Sequence, residues 1–165
     1  ARFLLSTGAR LNEALGATWD KIDLPNRVWR IPASNSKSKR GRSVPVSDSA
    51  VRVLEQLDTK EQGQYLFVSP KTKARLKNVH KVWDRLRIKA GLPTLTLHSL
   101  RHNFASFLVN SGRTLYETQK ILGHSSHSVT ERYSHLSSKT LMDAANSASL
   151  VIEGAMGGPS QKAAA

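Results

Sequence analysis

The sequence contains no cysteine. This excludes a disulfide scaffold, a thiol nucleophile and any zinc site built on thiolates. Long hydrophobic runs are also missing, since apolar stretches extend only a few residues and none approaches the length a membrane-spanning helix needs. No signal peptide is visible. Acidic residues are scarce: 12 Asp and Glu stand against 25 Lys and Arg, a formal net charge of +13. That surplus says little about fold, but it points to a polyanionic partner, with nucleic acid foremost. Hydrophobic residues make up 39% of the 165, enough for a globular core rather than a disordered basic tail. A reducing, cytoplasmic setting fits the absence of cysteine.

The chain opens on Ala1-Arg2-Phe3-Leu4-Leu5, without an initiator Met, and this reads as the last turn of an apolar helix from a longer protein. Ser6-Thr7-Gly8 breaks it. Leu11, Ala14 and Leu15 share one face of a short helix over 9–15 that Gly16 closes. Strands are expected at 18–24, 28–31 and 43–46, the last an edge strand because of Pro45. Ser34 to Arg42 forms a strongly basic loop between the last two. Ser47 or Ser49 caps a helix carrying Val51, Val53, Leu54 and Leu57. Tyr65 to Val68 is a short strand or extended link. A helix from Asn78 carries Val79, Val82, Trp83, Leu86 and Ile88. Another covers 99–110 with Phe104, Phe107 and Leu108 facing inward. Thr114 to Glu117 is a capping box for a helix ending at Gly123. A short helix at 128–133 and a last amphipathic helix at 137–153 follow. The fold class is therefore α+β, mainly helical with a small antiparallel three-stranded sheet near the N-terminal end. Residues 1–153 form one domain and 154–165 a low-complexity tail.

Four stretches carry residues suited to chemistry. Arg10 and Glu13 lie at i,i+3 after a glycine turn. They form either a surface ion pair or a guanidinium held by a carboxylate to grip a phosphate. Lys37, Lys39, Arg40 and Arg42 crowd one loop. Most read as a phosphate-binding patch, and one lysine can serve as a proton donor. His98 and Arg101 share a face near a helix start, where anions are favoured. His98 with His102 has the spacing of a metal pair, but no HExxH motif or cysteine accompanies it. The remaining histidines, His80, His127 and His135, read as structural. His124 follows a glycine at a helix end, and Tyr133 is flanked by Arg132 and Ser134. Two arginines, two histidines, a lysine and a tyrosine suit metal-free phosphoryl transfer. The arginines would neutralise the non-bridging oxygens and Tyr133 would be the nucleophile.

Together the stretches Thr7-Gly8-Ala9-Arg10-Leu11-Asn12-Glu13-Ala14-Leu15, His98-Ser99-Leu100-Arg101-His102, Leu122-Gly123-His124-Ser125 and Arg132-Tyr133-Ser134-His135-Leu136 resemble the tyrosine recombinases of the phage-integrase family. The likeness runs from about Phe3 to Leu136. It departs from the family at Asn12, where a small residue is more usual, and in the lysine loop, which lacks the common Lys-Thr-Gly wording. The resemblance implies that Arg10 and Arg101 clamp the scissile phosphate, with Glu13 buttressing Arg10. His98 and His124 hydrogen-bond its oxygens, and Tyr133 attacks to give a 3′-phosphotyrosyl link. Lys37, eight residues before Pro45, protonates the leaving 5′ oxygen, while Lys39, Arg40 and Arg42 contact DNA. It implies no metal and no cofactor. The partners implied are double-stranded DNA and other protomers in a DNA-bound tetramer, with the helix at 137–153 docking between them. The working location would be cytoplasmic, at the nucleoid. An upstream domain that clamps the far face of DNA is expected in the parent protein. A type IB topoisomerase or telomere resolvase shares this chemistry, and an inactive basic DNA-binding module would keep the fold alone. The Leu-Gly-His-Ser and Arg-Tyr-Ser-His-Leu wording favours an integrase.

Overall fold

A computed structural model describes residues 1–36, 39–123 and 146. The chain begins with α1 (Arg2–Thr7) and α2 (Leu11–Leu15), then a 3₁₀ turn (Trp19–Lys21) leads into β1 (Ile22–Asp23). β2 (Val28–Ile31) and β3 (Arg42–Pro45) complete a sheet of order β1-β2-β3, antiparallel throughout. Four helices follow: α3 (Asp48–Glu55), α4 (His80–Lys89), α5 (Leu97–Asn110) and α6 (Leu115–Leu122). This is the mainly helical α+β arrangement expected from the sequence. The helices expected at 128–133 and 137–153 lie outside the described residues, apart from position 146.

The sheet register follows from the alternation of apolar side chains. Trp29 pairs with Val44 and Ile31 with Arg42, so Trp29, Ile31 and Val44 all turn inward and are buried. Phe3 packs its ring 5.3 Å from Trp29 and 5.5 Å from Phe67, joining α1 to the sheet. Leu54 and Leu66 belong to the same buried core. Helix α1 packs on α3 and α5, and α6 packs on α5 and β3. A smaller apolar cluster of Ala105, Val109 and Leu122 lies between α5 and α6, with Phe104 and Leu115 against it.

Caps fix where the helices start. Ser47 Oγ accepts from Ala50 N–H, Thr96 Oγ1 from Ser99 N–H and Thr114 Oγ1 from Glu117 N–H. Glu117 returns the bond to Thr114 N–H at 2.7 Å, completing the capping box. Because Thr96 is the cap, α5 starts two residues earlier than expected and His98 enters its first turn.

Two expectations are corrected. Residues 18–24 are a strand only at 22–23, because Trp19 turns into a 3₁₀ helix and donates its indole N–H to Thr59 Oγ1. Phe107 does not face inward but is 60% exposed, and Ala105 and Val109 take the buried face of α5. Helix α4 forms where expected, yet none of its residues is fully buried. Val82 and Leu86 border an apolar cleft of about 400 Å³ shared with Leu4 and Leu15.

Gly8 ends α1 in the left-handed region, at φ 62°. A Cβ there would overlap the Phe104 ring and press on Leu122. The left-handed conformation alone costs about 1–2 kcal/mol for an L-residue. Gly8→Ala should therefore destabilise by about 2 kcal/mol or more, lowering the melting midpoint by about 4–8 °C for a domain of this size. An unchanged midpoint in a thermal unfolding experiment would contradict this packing.

Candidate active site

The glycine turn after α1 brings Arg10 to the N-terminal cap of α2 in extended conformation. Three residues on, Glu13 reaches back. Its Oε2 accepts from the Arg10 backbone N–H at 2.8 Å and its Oε1 from Arg10 Nη1 at 3.0 Å. The pair is not a surface ion pair, because the Glu13 side chain is only 1% exposed. A carboxylate this deep must be compensated by charge. The second cation comes from Arg42 at the start of β3, whose Nη2 donates to Glu13 Oε2 at 2.7 Å.

Burial alone would push the Glu13 carboxyl up. The charge of Arg42, the Arg10 backbone N–H and the charge of Arg10 outweigh it, so it lies below its ordinary 4.5. Arg42 also donates through Nη1 to the Ile121 carbonyl at 2.8 Å and is 10% exposed. This corrects its expected place among the DNA-facing residues of the loop: its guanidinium is turned inward. Lys39 and Arg40 are exposed.

Arg101 approaches from α5. It is 4% exposed and donates from Nη1 to the Gly8 carbonyl and from Nη2 to the Leu122 carbonyl, each at 2.7 Å. Ile121 and Leu122 are the last two residues of α6, the end of a helix that carries negative partial charge. Two arginine cations at that negative helix end are therefore favourable.

Arg10 from the cap of α2 and His98 and Arg101 from α5 line one cleft of about 380 Å³. A second cleft of about 600 Å³ adjoins it along Arg10, Leu11, His80 and His98, and is lined further by Asn12, Glu13, Ser34, Asn35 and Ser36. Lys37, which follows Ser36 in sequence, lies outside the described residues, as do His124 and Tyr133. His80, read from sequence as structural, is exposed and lines both clefts beside Arg10 and His98. The His98 and His102 rings meet edge to face at 4.6 Å. Among the described residues no group of three or more His, Cys, Asp or Glu could hold a metal ion. None of the described helices is long and apolar enough to cross a membrane. Three arginines against one buried carboxylate make the site cationic, suited to a phosphate.

The sequence model of the phage integrase family matches residues 1–140. The chain is 34% identical to tyrosine recombinase XerC of Corynebacterium glutamicum, over 88% of this chain and 48% of that protein. It superposes on the catalytic domain of bacteriophage HP1 integrase with a TM-score of 0.63 at 31% identity, over 88% of this chain and 77% of that one. It is also similar to XerH site-specific recombinase bound to its difH substrate, with a TM-score of 0.68 at 26% identity over 87% of this chain and 43% of that one. This cationic cleft, on a helical frame with one small sheet, is carried by a catalytic-domain fold of the integrase type. The chain belongs to the phage integrase family, and it spans about half the length of the curated relatives it matches.

The depressed Glu13 value carries a pH signature. A carboxyl lowered on folding stabilises fully above its unfolded value and loses that contribution as pH falls through the folded one. The stability difference between wild type and Glu13→Gln should be flat from about pH 7 to 5, at about 3 kcal/mol for one partner of a buried pair, and shrink below about pH 4.5. Urea unfolding across that range measures it. A difference unchanged down to about pH 3 would contradict the assignment.

Proposed function

We propose that this chain is the catalytic domain of a tyrosine-type site-specific DNA recombinase or integrase. The observation that carries the reading is the convergence of Arg10, His98 and Arg101 on one cleft, in a chain whose family match runs through Tyr133. The scissile phosphate occupies that cleft. Arg10 holds its non-bridging oxygens from the rim and Arg101 supplies charge from the buried floor, where fixed donors act most strongly on developing charge. His98 and His124 hydrogen-bond the same oxygens. Tyr133 Oη forms a bond to phosphorus as the bond to the 5′ oxygen breaks. The tyrosine proton passes to His98, and Lys37 protonates the leaving 5′ oxygen.

Rejoining runs the same steps in reverse with a 5′-hydroxyl as nucleophile. The phosphotyrosyl link keeps the energy of the broken ester, so no ATP is required. Ser36 lining the second cleft supports the choice of Lys37, since it brings the chain to the cleft edge one residue earlier. Exposed Lys39 and Arg40 contact the DNA backbone. The partner is double-stranded DNA, engaged at the nucleoid, and protomers assemble as a DNA-bound tetramer joined through the segment at 137–153. The relatives are recombinases and integrases, so the topoisomerase, telomere-resolvase and inactive-module readings are not favoured.

The test is covalent capture. The protein is incubated with nicked duplexes of randomised sequence, and DNA that stays attached in detergent is recovered. Tyr133→Phe should abolish capture while retaining DNA binding, since no charge changes. Arg10→Ala should slow it by about 10²–10³-fold, the usual cost of one oxyanion donor. A denaturant-resistant complex formed by Tyr133→Phe would overturn the nucleophile assignment. Capture should also persist in EDTA, because Lys37 supplies the proton to the leaving group. Loss on chelation, restored by a divalent ion, would contradict that role.

A further inference from the structure

Arg42 touches neither cleft, yet it joins the two parts of the molecule that carry the site. One end of its guanidinium donates to Glu13 Oε2, on the same carboxylate that holds Arg10 through both its backbone and its side chain. The other end donates to the Ile121 carbonyl at the close of α6. Its stem lies against Gly123, whose left-handed backbone (φ 65°) ends that helix. A Cβ on Gly123 would overlap Arg42 Cδ, so the glycine is what lets the arginine pass. His124 is the next residue in sequence. Arg101 makes the parallel connection, from the Gly8 carbonyl to the Leu122 carbonyl. Two arginines thus grip consecutive carbonyls of one helix end and tie them to the two sides of the Gly8–Glu13 turn.

We infer that Arg42 is a positioning residue for strand cleavage: through Glu13 it sets the Arg10 guanidinium, and through Ile121 and Gly123 it fixes the helix end that leads to His124. It rests on the recombinase reading given above. A lysine cannot do the same, because one ammonium cannot span two acceptors in a fixed planar fork. Burial works against the Arg42 charge and lowers its pKa, Glu13 offsets part of this, and Arg10 opposes it as a like charge. Glu13 is therefore the element that lets the two cations lie side by side.

The experiment measures the rate of covalent capture, on a duplex recovered as above, for wild type, Arg42→Gln, Arg10→Ala and the double variant. Binding of the same duplex is measured in parallel. A displacement of the reacting groups on the ångström scale costs about 10²-fold, so Arg42→Gln should slow capture by about that factor with DNA affinity changed less than about threefold. In the Arg10→Ala background the same substitution should cost much less, because its principal target is gone. Equal losses in both backgrounds, or a loss confined to DNA affinity, would overturn the inference and return Arg42 to a general structural or DNA-contacting role.

Arg42→Lys keeps a charge against Glu13 and replaces Arg42→Gln should that variant fold poorly. It should restore part of the rate and show the same non-additivity. A second readout needs no cleavage. In ¹⁵N-arginine NMR spectra, hydrogen exchange at the Arg10 guanidinium should quicken in Arg42→Gln, while exchange at Arg87, paired to Asp84 on α4, stays as in wild type. If wild type captures no DNA, the recombinase reading fails and the NMR comparison alone decides the positioning. Unchanged Arg10 exchange would overturn it.

Discussion

A carboxylate that is 1% exposed cannot be left uncompensated, and the arrangement around Glu13 follows from that constraint. Its two oxygens collect the Arg10 backbone N–H, the Arg10 guanidinium and the Arg42 guanidinium. Two of those bonds come from Arg10, where the turn after α1 caps α2, and the third from Arg42, the first residue of β3. Arg42 then carries the constraint on to the end of α6. The buried charge is weak evidence for stability, since burying ions is costly even when they are paired. Its consequence is geometric. It holds guanidinium groups close together although they repel, and it holds them before any anion arrives.

That preorganisation is what a phosphoryl-transfer site needs from its protein. Charge developing on non-bridging oxygens is stabilised most by donors that do not have to move at the moment of reaction. Arg101 illustrates the point. It is fixed by two backbone carbonyls from distant parts of the chain, and it still lines the cleft that Arg10 and His98 share. Carbonyls at a helix end would otherwise need water or another cap. Here the same bonds that satisfy them also orient the arginines, so fold and site are stabilised by common interactions.

Much of this was readable from sequence where a local rule applied. The alternation at Trp29 and Ile31 specified β2, and Thr114 with Glu117 specified the start of α6. Arg10, His98 and Arg101 were visible as chemistry because their spacing put them beside turns and helix starts. What the sequence could not show were contacts made across it. Glu13 near Arg10 reads equally as a surface pair, and only the arrival of Arg42 from β3 buries it. That arrival did leave a signal, since Arg42 lies two residues before buried Val44 and strand alternation puts both on one face. The density of charge in the loop obscured it. Phe107 faces outward because Ala105 and Val109, smaller residues on the neighbouring face of α5, take the contact with α6. Trp19 left the strand pattern because its indole found Thr59, forty residues away.

The most direct measurement on the central claim is the chemical identity of the covalent link. Captured protein–DNA complexes would be digested with protease and nuclease and the cross-linked peptide sequenced by mass spectrometry. The account predicts one attachment, at Tyr133 through the 3′-phosphate of the cleaved strand, with a free 5′-hydroxyl on the other side of the break. Attachment at another residue, or through a 5′-phosphate, would contradict it.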